Sequence, residues 1–490
     1  MTKARTRVRI EAMMNIVDTT FVASRDYQSE LGQFMTPENI ATFMATWLEP
    51  RKKNQMRVLD AGAGRGALSR ALGQVWEGQG ITLENTHLTL FEMDQVLCSE
   101  LSVDMGDVGF GEVELHASDY ILESASKQQT SPYTHAILNP PYKKISSKSD
   151  HRLALRSCGV ETGNLYSGFV ALALQQLTDG GQLVAIIPRS FCNGPYFKPF
   201  RKMLLEMASL THLHLFESRK DAFQADGVLQ ENIIIRLVKG AAQGKVCVST
   251  TPQADFKEIQ KFHFHFDQIV YPNDADQFIH IPSDSPQTAK AGNKKDQRIS
   301  LDELGIQLST GPVVGFRLKE HLRSHLCEAS APLVYPVHLR EGRVRWPLSD
   351  HQKANAIMIG DETRKWLYPN GCYCVVRRFS SKEERHRVVA SVVEAEDFPG
   401  SELLGLDNKL NVFHTKKHGL PQGLVHGLTA YLNTDIVDEE FRLFSGHTQV
   451  NATDLRRMKY PRRELLERLG NKLMGGEMPS QETIYSILEI

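Results

Sequence analysis

The sequence predicts an α/β protein, a Rossmann-like and largely parallel sheet domain followed by a smaller α+β domain. Three observations predict it. Apolar, strand-length runs alternate with helix-length stretches through the first half of the chain. One of the earliest, Arg57-Val-Leu-Asp-Ala-Gly-Ala-Gly-Arg-Gly66, runs straight into a glycine-rich turn. The stretch from Pro282 to Gln297 is polar, turn-rich and poor in apolar residues, as a linker is. The boundaries expected are an N-terminal arm and helix over 1–50, the sheet domain over 51–282, a linker over 283–298 and a second domain over 299–490. A length of 490 residues is ample for two domains.

Taken in order, Thr36-Pro37-Glu38 reads as a helix start, with Thr36 as N-cap and Pro37 in the first helical position. Ile40, Phe43, Met44 and Trp47 then form an apolar stripe. In the glycine-rich turn, Gly62, Gly64 and Gly66 permit positive φ and close approach of backbone to a ligand. Asp60 and Ala61 sit at the end of the strand before it, and Ala67 to Leu72 has helical character. The G-x-G-x-G pattern alone fits dinucleotide, nucleotide and S-adenosylmethionine sites alike.

The next strand, Leu88 to Asp94, arbitrates. It places Glu92 and Met93 at its end, where a carboxylate can accept hydrogen bonds from ribose hydroxyls. A third strand, Val113 to His116, leads to Asp119, a candidate acceptor for an adenine amino group. Three strand ends would then converge on one adenosine-like ligand at the carboxyl edge of the sheet. Taken singly, Glu92 or Asp119 is more often a solvated surface acid.

The run His135 to Leu138 then stops abruptly at Asn139-Pro140-Pro141-Tyr142. Two prolines fix φ and donate no hydrogen bonds, so this loop is stiff and leaves carbonyl oxygens for a ligand. Asn139, held extended by the following proline, adds a side-chain acceptor, and Tyr142 adds a flat face for a planar ring. Two acceptors beside an aromatic face suit an exocyclic NH2. The bland alternative is a proline-stiffened turn, and the tetrapeptide alone does not separate the two.

Beyond it, Asn164 to Phe169 leads a helix expected to end at Asp179-Gly-Gly181, ahead of a strand from Gln182 to Ile187 and then Pro188-Arg-Ser. Leu213 to Phe216 and Glu231 to Val238 read as the last strands, with Phe223 on the loop between them.

Asp60-Ala-Gly-Ala-Gly64, Glu92, Asp119 and Asn139-Pro-Pro-Tyr142, in that order, resemble the gamma class of N6-adenine DNA methyltransferases, the type II modification methylases of bacterial restriction–modification systems. Gly32 to Ile40 strengthens the resemblance through its Phe-x-Thr-Pro core. That resemblance implies a catalytic domain dependent on S-adenosylmethionine and a C-terminal target-recognition domain. It implies catalytic residues Asn139, Pro140, Pro141 and Tyr142, and cofactor contacts at Phe34, Thr36, Pro37, Asp60, Ala61, Gly62, Gly64, Glu92, Met93, Asp119 and Asn139. It also implies that Tyr142 and Phe223 stack on the two faces of an adenine flipped out of double-stranded DNA. A cognate restriction endonuclease is the protein partner such systems offer.

A formal net charge of −1 gives no global attraction to DNA, so phosphate contacts must come from local patches. Arg340, Arg343 and Arg345 alternate as they would on one face of a strand. Arg377, Arg378 and Lys382 form a second cluster around Phe379, and Arg456, Arg457 and Lys459 a third. Each alone is more often a solvated face. Ser309–Arg317, Asp407–Asn411 and Ser445–Asp454 also resemble segments of these methylases. No internal repeat suggests two recognition modules.

Seven scattered cysteines indicate neither a disulfide framework nor a metal site. The absence of a membrane-length apolar run or signal peptide predicts a cytoplasmic enzyme without membrane or metal. Two other readings stay open, an RNA adenine-N6 methyltransferase and a DNA-binding subunit with a lapsed methylase domain.

Overall fold

Side chains alternate between two cores across one sheet, and that alternation builds the first unit, Met1–Lys290. In β5 (Tyr133–Leu138), Ala136 and Leu138 enter one apolar cluster and Ile137 the other. In β6 (Leu177–Pro188), Leu183, Ala185 and Ile187 join the first cluster, Val184 and Ile186 the second. Strands buried on both faces read as continuous apolar runs, as parallel strands under two helical layers do. The structure is a computed structural model and describes residues 7–11, 35–51, 55–126, 132–216, 231–252, 255–272, 274–282, 298–349, 353–380, 384–444, 449–474 and 480–490.

Among the described residues the sheet has ten strands. Besides β5 and β6 they are β1 (Arg7–Glu11), β2 (Met56–Ala61), β3 (Thr86–Phe91), β4 (Glu112–His116), β7 (Ala208–Phe216), β8 (Asn232–Lys239), β9 (Lys245–Thr251) and β10 (Gln260–His265). Their order is β1-β4-β3-β2-β5-β6-β8-β7-β9-β10. β1 to β6 are mutually parallel where they pair, and β8 runs antiparallel to both β6 and β7. The strand order reverses between β2 and β5, the switch point outside whose carboxyl ends such sheets bind ligands.

One element differs from the sequence expectation. The helix Leu165–Gln176 stops before Asp179-Gly-Gly181, because β6 already begins at Leu177. Leu177 pairs with Tyr133 and pairing resumes at Gln182 with His135, so the intervening residues bulge from the ladder. Gly180, at φ +70°, makes the bulge feasible.

The second unit, Ala291–Ile490, carries two smaller sheets of short strands. One has six strands: β11 (Gln307–Thr310), β14 (Leu339–Arg340), β15 (Arg343–Val344), β18 (Tyr373–Arg377), β19 (Ala390–Val393) and β21 (Leu410–His414). The other has five: β12 (Leu322–Arg323), β13 (Ser330–Val334), β16 (Ala356–Met358), β17 (Leu367–Pro369) and β20 (Leu403–Leu406). Arg340, Arg343 and Arg345 do not share one strand. A hairpin intervenes, pairing Arg340 with Arg343 around Glu341-Gly342, both at positive φ as a primed two-residue turn requires.

Helix Gln422–Leu432 packs against the six-stranded sheet and helix Arg463–Leu473 packs on that helix, with Leu424, Leu428, Leu466 and Leu469 in one buried cluster. The two helices touch backbone to backbone. A Cβ on Gly427 would lie 1.9 Å from the Leu466 carbonyl oxygen, and one on Gly470 would lie 1.7 Å from that of Gly423. Among the described residues no helix is long and apolar enough to cross a membrane.

Candidate active site

The turn after β2 is hung on its neighbour. The N–H groups of Gly62 and Ala63 both donate to the Phe91 carbonyl at the end of β3, each at 2.9 Å. Gly62, Gly64 and Gly66 take φ of +77°, +55° and +72°, so the sequence expectation of a left-handed turn holds at all three. The loop after β5 lies against it. A Cβ on Gly62 would meet the Asn139 carbonyl oxygen and Pro141 Cδ, each at 3.9 Å.

Asn139 is held at both ends of its amide. Its Nδ2 donates to Thr36 Oγ1 at 2.9 Å, and its Oδ1 accepts from the Tyr142 hydroxyl at 3.0 Å. The Tyr142 hydroxyl also lies 3.1 Å from the Ile186 carbonyl, and its ring meets Tyr166 edge-on at 6.2 Å. Burial pushes the Tyr142 phenol well above its ordinary value, so it stays protonated and donates. Thr36 is therefore not the helix N-cap. Pro37 occupies that position ahead of Glu38–Ala45, with no side-chain cap, because the Thr36 hydroxyl is engaged by Asn139.

A cavity of about 320 Å³ opens beside these groups, lined among others by Met35, Thr36, Gly62, Gly64, Gln74 and Asn139. Its size suits a small organic ligand. Asp60, at the end of β2, is fully buried and accepts from Ser69 Oγ at 2.7 Å. Its other oxygen, Oδ1, has no hydrogen-bond partner among the described residues. Burial, with the Glu92 charge adding, pushes the Asp60 carboxyl up to about 7, against the pull of Ser69. Ser69 was not singled out in the sequence. A lone hydroxyl in an otherwise apolar buried helical face is the signal that marks it.

Glu92 and Asp119 both make hydrogen bonds within the protein. Glu92 braces the turn, its Oε2 accepting from Gly64 N–H and its Oε1 from Met93 and Asp94 N–H, each at 2.9 Å. Burial raises its pKa and the three N–H groups oppose the rise. Asp119 Oδ1 accepts from Leu122 N–H at 2.9 Å and Oδ2 lies 2.8 Å from His151 Nε2. Neither Glu92, Asp119 nor the exposed Met93 lines the cavity, whereas Thr36, Gly62, Gly64 and Asn139 do. Phe34, Phe223 and Lys382 lie outside the described residues.

The basic clusters are largely engaged within the second unit. Arg343 pairs with Glu394 at 3.3 Å, Arg345 with Glu341 at 2.8 Å and Arg377 with Glu384 at 2.5 Å. Arg378 donates to the Asn408 carbonyl at 2.8 Å, and Arg456 to that of Leu308 at 2.8 and 3.0 Å. Arg457 is half-buried, while Arg340 and Lys459 are exposed.

Comparison with known proteins places this geometry in a family. The family model for the Eco57I restriction-modification methylase matches residues 110–223, from β4 through β7 and just beyond. The chain is 46% identical over 455 residues to the type II methyltransferase M.BsuBI of Bacillus subtilis, covering 90% of each. It is 41% identical over 496 residues to the type II methyltransferase M.PstI of Providencia stuartii, covering 97% of each. The chain belongs to the type II DNA methyltransferases of restriction–modification systems. Among solved structures, the DrdV–DNA complex matches with a TM-score of 0.50 at 14% identity, over 91% of this chain and 57% of that one. A nuclease-deletion mutant of the Type ISP enzyme LlaGI with a DNA substrate mimic matches with a TM-score of 0.50 at 11% identity, over 90% of this chain and 54% of that one. Both likenesses concern the fold, the Rossmann-like α/β architecture described above. The methyl donor of this methyltransferase is S-adenosylmethionine. The residues present fit it: a cavity of ligand size, lined by a left-handed backbone cradle of glycines and by the polar side chains of Thr36 and Asn139.

Proposed function

We propose that this methyltransferase modifies N6 of an adenine swung out of duplex DNA, at a short specific sequence whose recognition falls to the second unit. The observation that carries the reading is Asn139, which lines the cavity while Thr36 and Tyr142 fix the orientation of its amide. With Nδ2 donating to Thr36, the acceptor end of the amide, Oδ1, is the one that would face an amine, beside the Tyr142 hydroxyl it already accepts. Asn in this position favours adenine, since cytosine-N4 methylases of this general type usually carry Ser there.

The bound cofactor supplies a methyl group on a sulfonium, already a good leaving arrangement. The chain's own residues do the rest. An aromatic amine is a weak nucleophile because its lone pair is spread into the ring. Oδ1 of Asn139 and the Pro140 carbonyl, accepting the two N–H hydrogens, draw that nitrogen towards a pyramidal geometry with a localised lone pair. The Gly62–Gly64 backbone, Asp60, Glu92 and Thr36 hold the cofactor, and orientation of this kind can contribute ~7–11 kcal/mol. No general base is required before attack, since the nitrogen becomes acidic only on methylation. Tyr142 stacks on the flipped base, offsetting an unstacking cost of a few kcal/mol. A restriction endonuclease reading the same sequence completes the system.

Single-molecule sequencing of plasmid DNA from cells lacking other methylases and expressing this chain tests the reading. N6-methyladenine at one short motif is the expected result. Unmodified adenine throughout, from cells whose purified protein binds S-adenosylmethionine, would sink it.

A further inference from the structure

Three stretches of the second unit have no part in the site described so far: Ser309–Arg317, Asp407–Asn411 and Ser445–Asp454. They meet at one place. Asn408 N–H donates to the Val313 carbonyl at 2.9 Å, Gly311 N–H to that of Leu410 at 2.8 Å, and Asn411 Nδ2 to that of Val450 at 2.7 Å. Arg378 ties the group together. Its N–H donates to the Lys409 carbonyl at 2.9 Å, its Nη1 to that of Asn408 at 2.8 Å, and its Nη2 to Gln449 Oε1 at 3.3 Å. Its own carbonyl accepts from Val450 N–H at 2.7 Å. Beneath them Asp407 is buried, with Oδ1 accepting from Lys409 N–H at 2.9 Å. The frame is therefore backbone braced by backbone, which holds its side chains in fixed positions.

Two large aromatic side chains project from this frame into solvent. Phe316 is 70% exposed and Phe379 is 48% exposed. Each has a cation alongside, Arg317 at 5.5 Å from the Phe316 ring and Arg378 at 6.0 Å from the Phe379 ring. Two further exposed cations belong to the same place, Lys409 on the turn and Lys353 above the Tyr335 ring at 6.0 Å. Tyr335 packs beside Gly315, whose Cβ would lie 3.4 Å from its hydroxyl. Cations interleaved with exposed rings on a braced frame match a polyanion that also offers apolar sugar surface between its phosphates. Of the clustered arginines conspicuous in the sequence, Arg378 belongs to this frame, whereas Arg343, Arg345, Arg377 and Arg456 are turned towards Glu394, Glu341, Glu384 and the Leu308 carbonyl.

We propose that this platform is the surface by which the second unit grips duplex DNA, with Arg317, Lys353 and Lys409 on phosphates and Phe316 and Phe379 against sugars and bases. The proposal rests on the duplex-DNA substrate of the preceding section. Its test starts from the methylated motif read by plasmid sequencing, built into a short duplex. Binding of that duplex to the purified full chain is measured across a salt series, for the wild type and for the triple variant Arg317→Ala, Lys353→Ala, Lys409→Ala.

Each phosphate contact contributes about 0.9 to the slope of log affinity against log salt, so the triple variant should lower the slope by roughly two to three. Its affinity for S-adenosylmethionine and its melting temperature should not move. Phe316→Ala and Phe379→Ala should each weaken duplex binding with the salt slope retained, because neither removes a phosphate contact. Should the triple variant melt early, Lys409→Ala alone carries the test, with a slope lower by about one. A wild type that methylates DNA beside a triple variant of unchanged slope and affinity overturns the platform and leaves the DNA reading standing. A wild type that binds S-adenosylmethionine but methylates no DNA removes the DNA reading and the platform with it.

Discussion

The edge where β2 and β5 end and the hairpin carrying Arg340 and Arg343 both expose polar groups on an apolar body, yet they are built in opposite ways. At the first, polar groups stand at the ends of long buried strands, and each is committed to a partner that fixes it: Asn139 to Thr36 and Tyr142, Glu92 to three N–H groups, Asp60 to Ser69. At the second, the strands are two residues long and the charges meet acids on the surface, as Arg343 meets Glu394 and Arg345 meets Glu341. Position on a sheet edge determines function in the first case. In the second, tertiary neighbours absorb charges that look available in the sequence.

The largest effect expected from breaking this contrast is at Asn139. Asn139→Ala should lower kcat by roughly 10²–10³-fold or more, as loss of one oriented polar group at a reacting centre does, with cofactor affinity nearly retained. Single-turnover methylation beside calorimetric cofactor binding reads both, and normal turnover would remove Asn139 from the reaction. Thr36→Val should follow at about tenfold in kcat, because Nδ2 loses its acceptor and the amide, with Oδ1, is held less firmly while the side chain itself is kept. An unchanged kcat there would mean that Tyr142 suffices to hold the amide.

Backbone packing comes next and compares the two units directly. Gly66→Ala places a methyl 2.8 Å from Leu101 Cδ2 and Met105 Cε at φ +72°, and should destabilise the first unit by about 1–3 kcal/mol. Gly470→Ala meets backbone at 1.7 Å rather than yielding side chains, so its cost to the second unit should be the larger of the two. Thermal unfolding of both variants settles the order.

The acid dependence of Asp60 gives a smaller, signed effect. Its folded pKa, about 7, lies above its ordinary value of 3.8, so its contribution to stability is full below about 4 and fades as pH rises through 7. The wild type should therefore lose stability relative to Asp60→Asn between pH 5 and pH 8 when cofactor is absent. Denaturant titration at the two pH values reads this, and a pH-independent difference would contradict it. Smallest of all, Arg345→Ala should change stability by no more than about 0.5–1 kcal/mol, since its pair with Glu341 is exposed.

Much of the first unit was legible because its chemistry sits where periodicity is strongest. The run His135 to Leu138 announces a buried strand, so the loop at its end could be placed without knowing its neighbours. The glycines of the turn after β2 declare positive φ by their identity alone. Three features were hidden. Thr36 reads as a helix cap locally, and only the approach of Asn139, 103 positions away, redirects its hydroxyl. Asp179-Gly-Gly181 reads as a helix stop, but pairing of Leu177 with Tyr133 turns it into a bulge. Arg340, Arg343 and Arg345 read as one strand face, and the Glu341-Gly342 turn between them was overlooked. The first two depend on long-range contacts to which local propensity is blind, whereas the turn residues were present in the sequence for the third.

The parallel pairing of β2 with β5 carries a consequence for how such chains can diverge. The turn after Ala61 and the loop after Leu138 are brought together by lateral hydrogen bonding, at Val58 with His135 and Leu59 with Ala136, and not by the connection that runs between them. A gene rearrangement that exchanged the order of the two blocks, keeping each strand with its own loop, would rebuild the same edge from a differently threaded chain. What selection must preserve is the adjacency of two strands, while their succession along the polypeptide is left free to change.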